Sequence, residues 1–174
     1  MRRYNAVEEL DPKHDIDTFD CGSDAQTTWL RRHALQAQYG GMARVYIVRR
    51  TDDDKVAGYY ALTTGSVLHA EAPARLARGA GRYDIPVIIL TRLGVDLADQ
   101  GKGLGRALVV DAFRRADRVS HEVGVRALLI HAEDDEARSF YRRLAAFEES
   151  PVDPLQLMLL MKDLRKSLGR AGGG

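Results

Sequence analysis

The chain has 174 residues, 45% hydrophobic and 29% charged, a balance that excludes disordered, fibrous and membrane-embedded classes and fits one globular domain. Its 26 Lys+Arg against 25 Asp+Glu leave a net charge of +1, so a polyanionic partner has to be held by a local patch and not by global charge. The lone cysteine, Cys21, cannot close an internal disulfide, and no Cys/His group has metal-ligand spacing, so neither a stapled secreted scaffold nor a metal site is expected. A strand-like opening ends at Leu10, and the polar residues 11–20 lead to Cys21-Gly22-Ser23-Asp24, a cap-rich helix start. The helix is expected to run to about Tyr39, with Trp29, Leu30, His33, Ala34 and Ala37 as its apolar stripe and Gly40-Gly41 as its left-handed stop.

Residues 43–50 and 56–68 read as two strands of a hairpin joined by Thr51-Asp52-Asp53-Asp54. A short helical piece at 72–78 precedes the flexible Gly79-Ala80-Gly81, and the apolar run 86–95 is a buried central strand. After a loop at 96–103, Leu104, Leu108, Ala112, Ala116 and Val119 recur every three or four positions and predict a helix. A strand at 125–131, a helix at 134–145 and a final strand at 155–164 complete a single domain, 1–164, followed by a flexible, basic and Gly-rich tail, 165–174. This order predicts an α/β (α+β) fold in which a mixed, mostly antiparallel sheet is flanked by helices on both sides. The greasiest stretches, 86–90 and 155–161, fall far short of the roughly 20 residues of a membrane helix, so no membrane association and a cytoplasmic location are expected.

The segment Gln100-Gly101-Lys102-Gly103-Leu104-Gly105-Arg106 lies between the buried strand and the first turn of an amphipathic helix. Glycines there let the chain turn sharply and bring backbone N–H groups to an anion, and the helix N-terminus adds unpaired donors and about half a positive charge. Lys102 and Arg106 add full charges. A Rossmann fingerprint needs glycine where Arg106 stands, and a Walker loop needs Ser or Thr after Gly-Lys, so both common nucleotide motifs fail.

What the segment does match is the Gln/Arg-x-x-Gly-x-Gly/Ala pattern of GNAT acyltransferases, with Gln100, Gly103 and Gly105 in the fixed places. The likeness extends through Leu90-Thr91-Arg92-Leu93-Gly94-Val95-Asp96, through His131-Ala132, and through Ala137-Arg138-Ser139-Phe140-Tyr141-Arg142-Arg143-Leu144. With Phe19-Asp20-Cys21-Gly22, Trp29-Leu30 and Gly58-Tyr59-Tyr60-Ala61-Leu62, the chain resembles more narrowly the GNAT toxins of type II toxin–antitoxin pairs, over most of its length from Phe19 to Met161. One departure is Ala145-Ala146-Phe147 in place of the usual Gly-Phe after the last helix. The resemblance implies acetyl-CoA as cosubstrate, its pantetheine along the strand at Leu93, Gly94 and Val95 and its pyrophosphate in the loop from Gln100 through Gly101, Lys102, Gly103, Leu104 and Gly105 to Arg106.

Acetyl transfer from a thioester to an amine needs a neutral amine, donors for the carbonyl oxyanion, and a proton for the departing thiolate. Tyr141 is the candidate proton donor, with an ordinary pKa of about 10; it also sits on an apolar stripe with Ala137, Phe140 and Leu144 that packing alone would explain, and the resemblance favours the catalytic role. Backbone N–H groups near Gly94 are candidate oxyanion donors if the strand bulges there, although an ordinary strand glycine fits the sequence equally. No general base is apparent, which favours an α-amine, with a pKa near 7.7–8.0, over a lysine at about 10.4. The acids Glu133-Asp134-Asp135-Glu136 are the other candidates for acid/base work, although four acids at a helix N-terminus more often serve the dipole and the cap, and the five histidines, His14, His33, His69, His121 and His131, are scattered without pairing. Without a Gly-x-Ser-x-Gly elbow, and with Cys21 lacking an evident base, covalent catalysis has little support.

Arg75, Arg78 and Arg82 form a basic strip with no acid among them through Tyr83, and Arg92 follows. With Arg31-Arg32 and Arg138, Arg142 and Arg143 they could contact nucleic-acid phosphates, or they are simply solvated helix faces. Toxins of the branch that this chain resembles acetylate the α-amine of the amino acid on charged tRNA, form homodimers and are neutralised by ribbon-helix-helix antitoxins. Two other readings stay open: a GNAT enzyme acting on a small amine or a protein N-terminus, and a non-catalytic acyl-CoA-binding module.

Overall fold

The turn Thr51-Asp52-Asp53-Asp54 closes the expected hairpin between β2 (Arg44–Arg49) and β3 (Val56–Val67), antiparallel in register with Val45 opposite Ala61. Asp54 takes φ +59°, a left-handed conformation that a short carboxylate tolerates where a branched side chain would not. A short β1 (Glu8–Glu9) adds to the far edge of β2. The structure is a computed structural model that describes residues 2–171.

Two compact units are distinguishable, one combining the chain up to Thr63 with Thr91–Asp111, the other Thr64–Leu90 with the chain from Ala112 onward. In the first, the helical segment opens at Ser23, whose hydroxyl accepts from the Gln26 amide, and runs as α1 (Asp24–Thr28), a π-helical turn (Trp29–His33) and α2 (Ala34–Tyr39). Leu30 and Ala34 are fully buried with Phe19, Val45, Ile47 and Tyr59. The wider π turn shifts the periodicity, so His33, expected on the apolar stripe, is exposed. Gly41, at φ +72°, makes the left-handed stop.

In the second unit, α3 (Ala74–Ala77) packs Leu76 against Val67, Ile85, Val87, Leu129 and Met158. The chain continues through β4 (Ile85–Val95), α4 (Leu104–Ser120), β5 (Ala127–His131), α5 (Asp135–Leu144), β6 (Glu148–Glu149) and β7 (Gln156–Leu160). The sheet has seven strands in the order β1-β2-β3-β4-β5-β7-β6 and is mixed: β4 and β5 run parallel, and β5–β7 and β6–β7 antiparallel.

The last expected strand, 155–164, is corrected. Only Gln156–Leu160 is strand, and the chain turns directly into α6 (Met161–Ala171), which buries Met161, Asp163 and Leu164. The expected flexible tail from residue 165 is therefore helical through Ala171, because Leu164 and half-buried Leu168 lie four residues apart on one helical face; its residues 172–174 lie outside the described residues.

Candidate active site

The β4–β5 ladder runs from Val87 opposite Ala127 to Leu90 opposite Ile130, and β4 continues beyond it to Val95. Arg92, Leu93 and Val95 are half-buried there, and Gly94 is buried. A Cβ at Gly94 would lie 3.0 Å from Tyr59 Cε1 and 3.2 Å from Cys21 Sγ, so close approach is a sufficient reason for glycine at this position. The loop begins with Asp96, whose carboxylate accepts from the Ala98 amide at 3.0 Å and caps a 3-10 turn, Leu97–Asp99.

Gly101 (φ +76°) and Gly103 (φ +82°) hold left-handed conformations, and nothing lies within 4 Å of where either Cβ would be. The Gly103 carbonyl accepts from Ala107 N at 3.1 Å, so α4 starts at Leu104 and the amides of Leu104, Gly105 and Arg106 belong to a first turn that has no intrahelical acceptors. Exposed Arg106 has no partner among the described residues. Open space over two left-handed glycines, a turn of free amides and an unpaired guanidinium fit a pyrophosphate.

Three residues expected at the cofactor have their side chains engaged by protein. Gln100 donates to Cys21 O at 2.9 Å and to Val95 O at 3.0 Å, which makes it a tether of the loop. Lys102 donates to Ala98 O at 2.7 Å. Leu104 is 6% exposed and packs near Gly58, so only its main chain is available to a ligand. The residue that sequence reasoning missed is Asp99: 2% exposed, it accepts from Tyr4 Oη at 2.8 Å and from Arg50 Nε at 2.7 Å and Nη2 at 2.6 Å. Its partners lie 95 and 49 residues away, so no local pattern marks it.

In the second unit, Asp134 accepts from the Ala137 amide at 2.8 Å, so the acidic run caps α5 as expected. One face of α5 carries Tyr141, 7% exposed, against Phe140 and Phe147 with ring centroids 5.2 and 6.5 Å away. Its hydroxyl has no hydrogen-bond partner among the described residues. Burial, reinforced by the Glu133 charge, pushes the phenol far above its ordinary pKa. Ala145 ends α5 in an extended conformation that needs no glycine, which accounts for the departure at Ala145-Ala146-Phe147.

No family model matches the chain. A tRNA-acetylating toxin from Mycobacterium tuberculosis (strain ATCC 25618 / H37Rv) is 43% identical over 169 residues, covering 97% of this chain and 99% of that one. The chain belongs to the GNAT family of tRNA-acetylating toxins. As such it is an acetyltransferase. AtaT complexed with acetyl-methionyl-tRNAfMet superposes with a TM-score of 0.84 at 29% identity, covering 92% of this chain and 97% of that one. A tyrosine-to-phenylalanine variant of AtaT bound to the C-terminus of the antitoxin AtaR and acetyl-CoA superposes with a TM-score of 0.80 at 27% identity, covering 95% and 98%.

The toxin's expected tRNA-contacting arginines divide into two kinds. Arg75 is bound by Glu148 and by Asp163, and Arg92 lies 5.3 Å from the Trp29 ring centroid and donates to Gln26 Oε1 at 3.4 Å. Arg78 and Arg82 are exposed, and their guanidinium groups have no partner among the described residues. Arg138 and Arg142 share Glu149. His14 is structural, accepting at Nδ1 from Asp11 N and meeting Glu8 at Nε2, whereas His131 contacts Asp153 at 2.8 Å. Cys21 Sγ lies 3.3 Å from Thr27 Oγ1.

Proposed function

We propose that this chain acetylates the α-amino group of the amino acid carried on charged tRNA, blocking translation, by direct transfer from acetyl-CoA. The observation that carries the reading is Tyr141, a residue 7% exposed whose phenol is protonated at physiological pH and whose hydroxyl is held by no protein acceptor among the described residues. Such a phenol is in its protonated form when the thiolate departs, and with no protein acceptor engaging it the hydroxyl is available to donate to that leaving group. The amides of Leu104, Gly105 and Arg106 and the left-handed Gly101 and Gly103 receive the pyrophosphate, Gln100 holds the loop in place, and main-chain N–H groups around Leu93, Gly94 and Val95 stabilise the developing oxyanion. The acceptor amine attacks in its neutral form, which an α-amine supplies in part at neutral pH.

Arg78 and Arg82, exposed and unpaired, are the candidate contacts to tRNA phosphates. Arg75 and Arg92 reach the substrate only by sharing the partners that hold them. The complexes of AtaT with acetyl-methionyl-tRNA and with AtaR support a tRNA substrate and a protein antitoxin, which we take to be of the ribbon-helix-helix type acting on a cytoplasmic homodimer. Among the described residues, no helix is long and apolar enough to cross a membrane.

Incubation with labelled acetyl-CoA and a pool of charged tRNAs is expected to give an N-acetylated amino acid on tRNA, lost in Tyr141→Phe. Labelling of a free polyamine with none on any charged tRNA would replace this reading with a small-amine acetyltransferase. Retained acetyl-CoA binding with no transfer to either would make the chain a binding module.

A further inference from the structure

A cavity of about 420 Å³ in the second unit is lined by five basic residues, Arg75, Arg78, Arg126, Lys162 and Arg165, together with apolar Val125, Leu160 and Met161, and no acidic residue lines it. Like charges do not converge without cost, so the first question is which of them are neutralised from behind. Arg75 is held by Glu148 and Asp163, and Arg165 donates to Asp117 at 2.8 Å and to Ser120 at 3.0 Å. The other three have no acidic partner among the described residues. Arg126 is fixed instead by neutral acceptors, the Leu76 carbonyl at 3.2 Å and the Arg78 carbonyl at 2.7 Å.

A guanidinium carries five N–H donors, and these two bonds engage only two of them. Arg126 is thus held in one orientation by main-chain oxygens with most of its donors free, a preorganised fork suited to the oxygens of a phosphoryl group. Arg78 and Lys162 are exposed and add mobile positive charge at the same opening. A carboxylate ligand would need one such fork; three unneutralised cations around one concavity suit a group carrying several negative charges.

We propose that this cavity is a phosphoryl-binding site, separate from the Gly101–Gly103 loop, that takes adjacent phosphates on the Arg126 fork with Arg78 and Lys162. The phosphates come either from the backbone of an RNA or from a free polyphosphorylated nucleotide. Because the site is defined by its own charges, it stands whether or not charged tRNA is the acetyl acceptor.

The test uses the full chain saturated with CoA, so that the loop is filled, and inorganic tripolyphosphate as the calorimetric probe. Uncharged tRNA is measured in parallel by filter binding. One tripolyphosphate per chain is expected to bind, with affinity falling at least tenfold in Lys162→Glu and in Arg78→Glu, both exposed positions where thermal melting checks that the fold is kept. If RNA is the source, tRNA displaces tripolyphosphate, and its binding weakens in both variants with the salt slope reduced by about one per cation lost. If a free nucleotide is the source, nucleoside triphosphates displace the probe while tRNA binding in Lys162→Glu, which alters no candidate tRNA contact, is the same as in the wild type. Absence of tripolyphosphate heat, or equal heat in wild type and both variants, overturns the proposal.

Discussion

Gln100 donates its side-chain amide to the main-chain carbonyl of Val95 at 3.0 Å, tying the first residue of the glycine-rich loop to the last residue of β4. A second bond from the same nitrogen, to Cys21 O at 2.9 Å, fixes the loop to the turn that precedes α1. The side chain at the head of the motif is a tether, and the ligand contacts fall to the main chain that it positions.

Gln100→Ala removes both bonds, each contributing about 1 kcal/mol. We expect KM for acetyl-CoA to rise roughly tenfold while kcat stays within about twofold, since about 1.4 kcal/mol corresponds to a factor of ten. Steady-state kinetics with acetyl-CoA varied would show it, and an unchanged KM would mean that the loop is ordered without the tether.

The glycines of β4 and the loop are needed for different reasons. At Gly103 a side chain has room but the φ of +82° is strained, so Gly103→Ala should cost about 1–2 kcal/mol. At Gly94 the backbone is ordinary and the space is filled by Tyr59 and Cys21, so Gly94→Ala overpacks the interior at about 1–3 kcal/mol. Urea denaturation gives both values, and a double variant Gly94→Ala/Cys21→Ala should recover stability relative to Gly94→Ala alone.

Asp99→Ala leaves the Arg50 guanidinium without the carboxylate that both of its nitrogens reach and the Tyr4 hydroxyl without its acceptor. A loss of about 3 kcal/mol is expected, the scale for breaking a buried ion pair from one side. Arg50 retains Asp96 at 3.1 Å, so the chain should still fold. A melting temperature equal to wild type would contradict the assignment.

Tyr141→Phe is expected to lower kcat by roughly 10²–10⁴-fold, the usual range for loss of a positioned acid, with stability near neutral pH unchanged because the hydroxyl has no partner to lose. The folded pKa is raised above the unfolded value of about 10. The folded state therefore holds this proton more tightly, and the stability it confers is fully present below pH 10 and lost as the pH rises through the folded value. Wild type should lose stability above pH 10 more steeply than Tyr141→Phe. Its kcat/KM should rise with the neutral amine to about pH 8 and show no alkaline decline by pH 9.5, which a pH series tests.

The hairpin, the long helix after the loop, the cap at Asp134 and the glycine positions were legible in the sequence because each depends on neighbours within a few residues: Asp134 on Ala137, Gly103 on its own φ. Family membership followed from the same short-range motifs. What the tertiary structure decided was the assignment of charge. Asp99, Arg50 and Tyr4 find one another across tens of residues, Glu148 and Asp163 take Arg75 from the basic strip, and Arg126 meets Lys162 at a cavity that no stretch of sequence contains. Hydrogen bonding and packing along a helix or turn repeat with a fixed period, so composition and spacing reveal them. Ion pairs form wherever the folded chain places opposite charges within about 4 Å, and that distance is set by the whole fold.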